Sequence, residues 1–338
     1  MLDDPTRPTS GTSTLWRRVH TFLTMQATRL LTQQGRRRLA DYGFMLAFIL
    51  LLLIAASISE VFFTQRNLSN LFRQIVTNGL ISLGMLVVIL TGGIDLSVGS
   101  VVALSGIMAA GLQEQLPLPL ALLAALGVGG LAGALNGTLI AYFKLPPFIV
   151  TLATLGALRG LVYVYSDTPI TPENPNFRAL LGGGFIGPVP VTVVIMLVCF
   201  PLVGLLLTRT TAGRAIEAIG GNEEAVRLAG VNVGRHLVLA YMICGLFAAL
   251  AGIILTSRVG IAQPSVGVGL ELDAIAACVI GGAILGGGGG SVRGTFGGVL
   301  TLGLIDNLLN LFNVQSYYQQ IFKGLIILLA VLARRKES

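Results

Sequence analysis

Apolar runs long enough, or nearly long enough, to cross a bilayer recur along the whole chain. They fall at about 42–63, 74–91, 96–113, 117–142, 146–165, 189–208, 236–256, 270–286, 295–312 and 317–333. The pattern predicts an all-α, polytopic membrane protein of about ten transmembrane helices. Several runs are near the lower length limit, so the count is open by one or two. Ten crossings put both termini on one side. They put the loop 209–235, with Arg209, Arg214, Arg227 and Arg235, on that side too, along with Lys144 and Arg293. Arg66 and Arg73 fall on the opposite side, as does the Pro- and Gly-rich stretch 166–188. Three regions result: a basic leader 1–40, one transmembrane domain 41–333 and a short tail 334–338.

Composition strengthens this picture. The chain of 338 residues is 54% hydrophobic and 11% charged, with mean hydropathy +0.84. Soluble domains carry about 25% charged residues. The net charge of +7 does not point to nucleic acid, because its placement is one-sided. Arg17, Arg18, Arg29, Arg36, Arg37 and Arg38 precede the first apolar run, and Arg334, Arg335 and Lys336 follow the last. Basic residues held on the cytoplasmic side are the positive-inside pattern, which places both termini in the cytoplasm. The first run is longer than a signal-peptide core and reads as a retained span. Leu15, Trp16, Val19, Phe22, Leu23 and Leu30 recur at helical spacing among the arginines, which fits either a helix on the membrane surface or a disordered cationic tail.

Polar residues inside the greasy sequence carry the candidate chemistry. In Thr91–Ser100 three glycines, an acid and two serines interrupt the apolar run. Gly weakens a helix, and Asp95 and Ser97 can cap a new one. The segment is either a cavity-lining helix break or a tight turn between spans. In the basic loop, Asn222 precedes Glu223, Glu224, Ala225, Val226 and Arg227, and Gly230 follows. A capping Asn, acids at the positive helix end and a terminating Gly predict a helix of about two turns. It is either an ordinary connector or a docking element for a cytoplasmic partner. Glu271, Asp273, Asp306, Asn307 and Asn310 lie within late spans, and Asn136, Arg159 and Lys323 belong to the same class. Acids are costly in a bilayer and usually face the bundle interior or a watery path. Asp95, Ser97, Asn136, Glu271, Asp273, Asn307 and Asn310 are therefore the translocation-path candidates.

Other features read as structure. Gly129, Gly133 and Gly137 clear one helix face, so a neighbouring backbone can approach. Gly93–Ser97 echoes Gly269–Asp273, five spans apart; the echo is either an inverted repeat or chance. Cys199, Cys244 and Cys278 lack metal-ligand spacing and read as small buried hydrophobes. There is no phosphate-binding G-x-x-x-x-G-K-[ST], since Gly286–Gly290 runs on into Ser291-Val292-Arg293. His20 and His236 stand alone, and no catalytic residue, cofactor or metal site is expected.

The motifs together resemble one family. Thr91–Ser100 (TGGIDLSVGS), Ala218–Gly230 (AIGGNEEAVRLAG), Gly269–Gly282 (GLELDAIAACVIGG) and Asn307–Tyr318 (NLLNLFNVQSYY) are similar to the permeases of ribose, xylose, arabinose and galactose ABC importers. The resemblance runs from about residue 40 to the C-terminus. It implies a bacterial inner-membrane subunit that works with a cytoplasmic ABC ATPase, a periplasmic sugar-binding protein and a second permease copy, identical or paralogous. ATP and Mg would be held by the ATPase. The helix at 222–230 would be the coupling helix, with Gly221, Asn222, Glu223, Glu224, Ala225, Arg227 and Gly230 as its docking residues. Val226 stands where that family's importers usually have a second Ala. Ribose is the first expectation for the sugar. Autoinducer-2, rhamnose, xylose and galactose remain alternatives, as does an ATP-independent secondary transporter.

Overall fold

The computed structural model describes residues 60–335 and a few helical positions between 48 and 57. Contacts divide the chain into two units, 1–58 and 59–338, and the helix bundle belongs to the second. The basic leader, half of the run 42–63 and the last residues of the tail lie outside the described residues.

Each of the other nine apolar runs forms a helix. We label α1 Gln65–Leu90, α2 Val98–Gly111, α3 Leu118–Phe143, α4 Pro147–Tyr165, α5 Val191–Arg209, α6 Thr211–Leu228, α7 Val233–Val259, α8 Leu270–Ile280, α9 Val292–Leu311 and α10 Ser316–Arg335. Five of them, α1, α3, α4, α5 and α7, are long and apolar enough to cross a membrane. The additional helix, α6, is amphipathic and fills most of the basic loop.

Two boundaries differ from the sequence reading. Helix α1 begins nine residues before the apolar run does. Thr64 caps it by accepting from the Asn67 N–H, and the first two turns are polar. Hydropathy does not register such turns. Helix α8 stops at Ile280, although apolar sequence continues to 286. Its 11 residues span about 16 Å, short of the roughly 30 Å hydrocarbon core.

The bundle is centred on α7, which packs against α1, α2 and α3. Small residues permit this. A Cβ on Gly129 would lie 2.5 Å from the Ala249 Cβ, and one on Gly137 would lie 2.6 Å from the Val238 Cα. Gly133 faces the Tyr241 carbonyl of α7 in the same way. The three glycines thus serve helix packing. Helices α8 and α9 pack on each other and on α1, with α10 against α8. Between α4 and α5 a short antiparallel hairpin pairs Phe185 with Pro190 and Ile186 with Val189.

Candidate functional site

Helices α1 and α8 end in the same way. The Gly92 N–H donates to the Ile89 carbonyl and the Gly93 N–H to that of Val88. Correspondingly, the Gly282 N–H donates to Val279 and the Ala283 N–H to Cys278. Gly92 (φ +85°) and Gly282 (φ +102°) occupy the left-handed position that closes each turn, a conformation in which a side chain is strained.

Beyond the first turn sits Asp95, 1% exposed. Its Oδ1 accepts from the Ser97 N–H at 2.9 Å and from the Ser97 hydroxyl at 2.6 Å. Ser97 therefore spends its hydroxyl on Asp95 and does not cap α2. From α3, the Asn136 amide donates to Ser97 Oγ at 2.9 Å and to Asp95 Oδ1 at 3.4 Å. From α4, the Thr154 hydroxyl donates to Asn136 Oδ1 at 2.6 Å, and that of Thr151 to the Ile94 carbonyl at 3.3 Å. Asp95, Ser97 and Asn136 thus form one dry polar knot joining three helices. Of the two readings of this segment, the structure gives the tight turn packed against protein.

The remaining candidates do not converge on this knot. Lys323 of α10 donates to Asp273 Oδ2 at 2.9 Å and lies 3.1 Å from Asp306 Oδ2, which ties α8, α9 and α10 together. Asn307 exchanges two amide hydrogen bonds with Asn67, at 2.9 and 3.2 Å. Asn310 accepts from Gln319 at 2.9 Å. Glu271 is half-buried and accepts from the Gly269 N–H at 3.2 Å, while the neighbouring Gly267 backbone packs on Gly99. Arg159 donates to the Pro264 and Val266 carbonyls at 2.8 and 2.7 Å. Most path candidates are therefore used within the chain as interhelical ties; Glu271 and Asp273 are partly buried and Asn310 is exposed.

The second region is α6. It bends at Asn222, whose φ/ψ of −162°/96° is not helical. The Asn222 side chain accepts from the Ala225 N–H at 2.9 Å, starting a fresh helical segment. Gly230, at φ +80°, follows its end. Gly221, Asn222, Glu223, Glu224, Ala225 and Arg227 are all exposed. Val226 is buried against Ile219, Val233 and Leu237, so the departure from the family pattern lies on the inward face. Glu224 and Arg227 form an ion pair, and the guanidinium holds the Glu224 carboxyl below the usual range for Glu. Leu228 was not singled out in the sequence, yet it is 79% exposed beside these charges. Its hydropathy gave no signal of this; its position on the face opposite Val226 does.

The opposite end of α1 carries a different surface. Arg73 lies 17 residues from Leu90, about 25 Å along the helix. It stacks on the Phe185 ring at 4.8 Å. Arg258 is nearby, at the end of α7, and the Arg178 guanidinium lies against Gly260. Among the described residues none of these three arginines forms an ion pair with an acid. No group of His, Cys, Asp and Glu suited to holding a metal occurs among the described residues either.

Residues 67–331 match the family model described as a branched-chain amino acid transport system permease component. The chain is similar to the ribose import permease protein RbsC of Haemophilus influenzae, 44% identical over 89% of this chain and 94% of that protein. It is also 44% identical to the ribose import permease protein RbsC of Bacillus subtilis, over 93% of this chain and the whole of that protein. The L-arabinose transport system permease protein AraH of Escherichia coli is 40% identical over 87% of this chain and 90% of its own length. No solved structure matches the chain.

Proposed function

The chain belongs to the permease-component family of branched-chain amino acid transport systems, and from that premise we propose that it is the membrane-spanning permease subunit of an ATP-driven importer of a monosaccharide, ribose first. The observation that carries the reading is the second half of α6. It is a capped, exposed helix with acids in its first turn and an apolar Leu228 beside them. A surface of this kind suits a protein partner. In this reading the partner is the cytoplasmic ATPase, which holds ATP and Mg while this chain performs no catalysis.

The remaining parts of the reading rest on placement. The chain makes about ten crossings of the bacterial inner membrane with both termini in the cytoplasm. The echo of Gly93–Ser97 in Gly269–Asp273, five spans apart, supports an inverted repeat. The arginine face near Phe185 lies at the other end of α1, where a periplasmic sugar-binding protein would deliver its cargo. Gly221, Asn222, Glu223, Glu224, Ala225, Arg227 and Gly230 serve coupling. The path is completed by a second permease copy, with Glu271, Asp273 and Asn310 as the path candidates of this chain that are not fully buried. Physically the cycle is alternating access, in which docked helices rock two bundles about a central path. A neutral sugar needs hydroxyl-compatible groups and few fixed charges, which this interior provides. The arabinose relative supports a second reading with another pentose as cargo.

The test is uptake in proteoliposomes that contain this chain with the ATPase and binding protein of its own organism. Labelled ribose accumulates only with ATP on the ATPase side and binding protein on the other. Equal accumulation without ATP overturns the reading in favour of a secondary transporter.

A further inference from the structure

The first half of α6 ends in Gly220 and Gly221, just before the bend at Asn222. Gly220 is wedged against two helix breaks at once. A Cβ there would overlap the Leu90 carbonyl oxygen and the Gly288 nitrogen, and would lie 2.9 Å from the Gly287 Cα. The two breaks are also bonded to each other, because the Gly288 N–H donates to the Leu90 carbonyl at 3.1 Å. A Cβ on Gly287 would stand 2.7 Å from the Gly220 Cα and 2.8 Å from the Gly92 nitrogen. The loop carrying Gly287 is held firm by bonds from the Gly287 N–H to Ile284 and from the Ile284 N–H to Gly289. Backbone meets backbone across the whole junction, with no side chain to absorb a displacement.

Five residues beyond Leu90 lies Asp95, tied to α3 and α4. On the other side of the junction the loop 281–291 links α8, which carries Glu271 and Asp273, to α9. We propose that Gly220 is a positioning residue for coupling: it seats α6, just before its docking half, directly on both helix breaks, so that movement of α6 reaches the Asp95 knot and α8 together. This rests on the reading of α6 as the ATPase-docking element. Packed junctions of this kind switch between discrete arrangements and do not deform smoothly.

The test uses the complete transporter in proteoliposomes and measures ATP hydrolysed per sugar imported. Gly220→Ala raises that ratio roughly tenfold, within the range of coupling changes expected from one site on a connecting network. Hydrolysis and complex assembly persist. Gly127→Ala, on α3, where a Cβ also meets nothing within 4 Å, matches the wild type. An unchanged ratio in Gly220→Ala overturns the proposal. A second measurement covers the case in which Gly220→Ala fails to assemble. Spin labels go on Gly221→Cys and Gly286→Cys, both open sites, in a Cys199→Ser background. Their mutual distance stays constant between the nucleotide-free and ATP-trapped states while the distance from each to the periplasmic hairpin changes. A change in the mutual distance means that α6 slides over the breaks, which also overturns the proposal. A wild-type complex that imports nothing refutes the underlying permease reading, a result distinct from normal coupling in Gly220→Ala.

Discussion

Asp95 has several donors and, among the described residues, no ion-pair partner. A buried carboxylate of this kind depends on its hydrogen bonds, and removing it strands the Ser97 N–H and the Ser97 hydroxyl in a dry interior. Asp95→Ala is expected to lower unfolding stability by about 1–3 kcal/mol and to slow uptake, while insertion persists. Asp95→Asn keeps one acceptor oxygen and is expected to lose less on both counts. Thermal unfolding and uptake kinetics on the pair check this, and equal losses from both variants would contradict it. Lys323 is the complementary case, one cation serving two acids. Lys323→Met leaves Asp273 and Asp306 unpaired, at a cost of about 3–5 kcal/mol. The expected result is loss of folded protein in detergent, restored in part when Asp306 is also changed to Asn. At this scale the sequence identified the costly polar residues but not their partners. Asp273 and Lys323 are 50 residues apart and Asn67 and Asn307 are 240 apart, so no local pattern links them.

The second helical segment of α6 was legible because its determinants are local. A capping Asn, two acids and a terminal Gly lie within nine residues, and the structure has the cap bond and the positive φ where they imply. Replacing Glu224 and Gly230 together is expected to uncouple uptake from ATP hydrolysis while the protein still inserts. Normal uptake in vesicles by that double variant would remove the segment from coupling. Its pH behaviour has a definite sign. Arg227 depresses the Glu224 pKa, so the ion pair is present above the ordinary Glu value of about 4.3 and is lost as pH falls below the folded value. Coupling through Glu224 is therefore expected to be flat across neutral pH. The ends of α1 and α8 were less legible for a shared physical reason. Hydropathy reports the solvent and not the backbone, so it misses the polar start of α1. It also runs through the partly buried glycine turn at Gly281–Gly282.

Across the bundle, close packing around α7 holds the helices in register, and the glycine face of α3 makes this possible. Gly133→Val is expected to destabilise the bundle severely, because the Tyr241 carbonyl leaves no room for a side chain. Gly127→Val, which meets nothing within 4 Å, is expected to be tolerated. Melting of the two purified variants separates these outcomes. Helical membrane architecture was readable from the apolar runs, and the family from a few ordered motifs. A continuous path was not, because the polar groups proposed for it are largely engaged in holding one copy together. Coupling to an ATPase requires that α6 face the cytoplasm. The direct measurement is labelling of Gly221→Cys, in the Cys199→Ser background, with a membrane-impermeant thiol reagent. Labelling in inside-out vesicles only, blocked when the ATPase is bound, is the predicted result. Labelling of intact spheroplasts from the periplasmic side would contradict it.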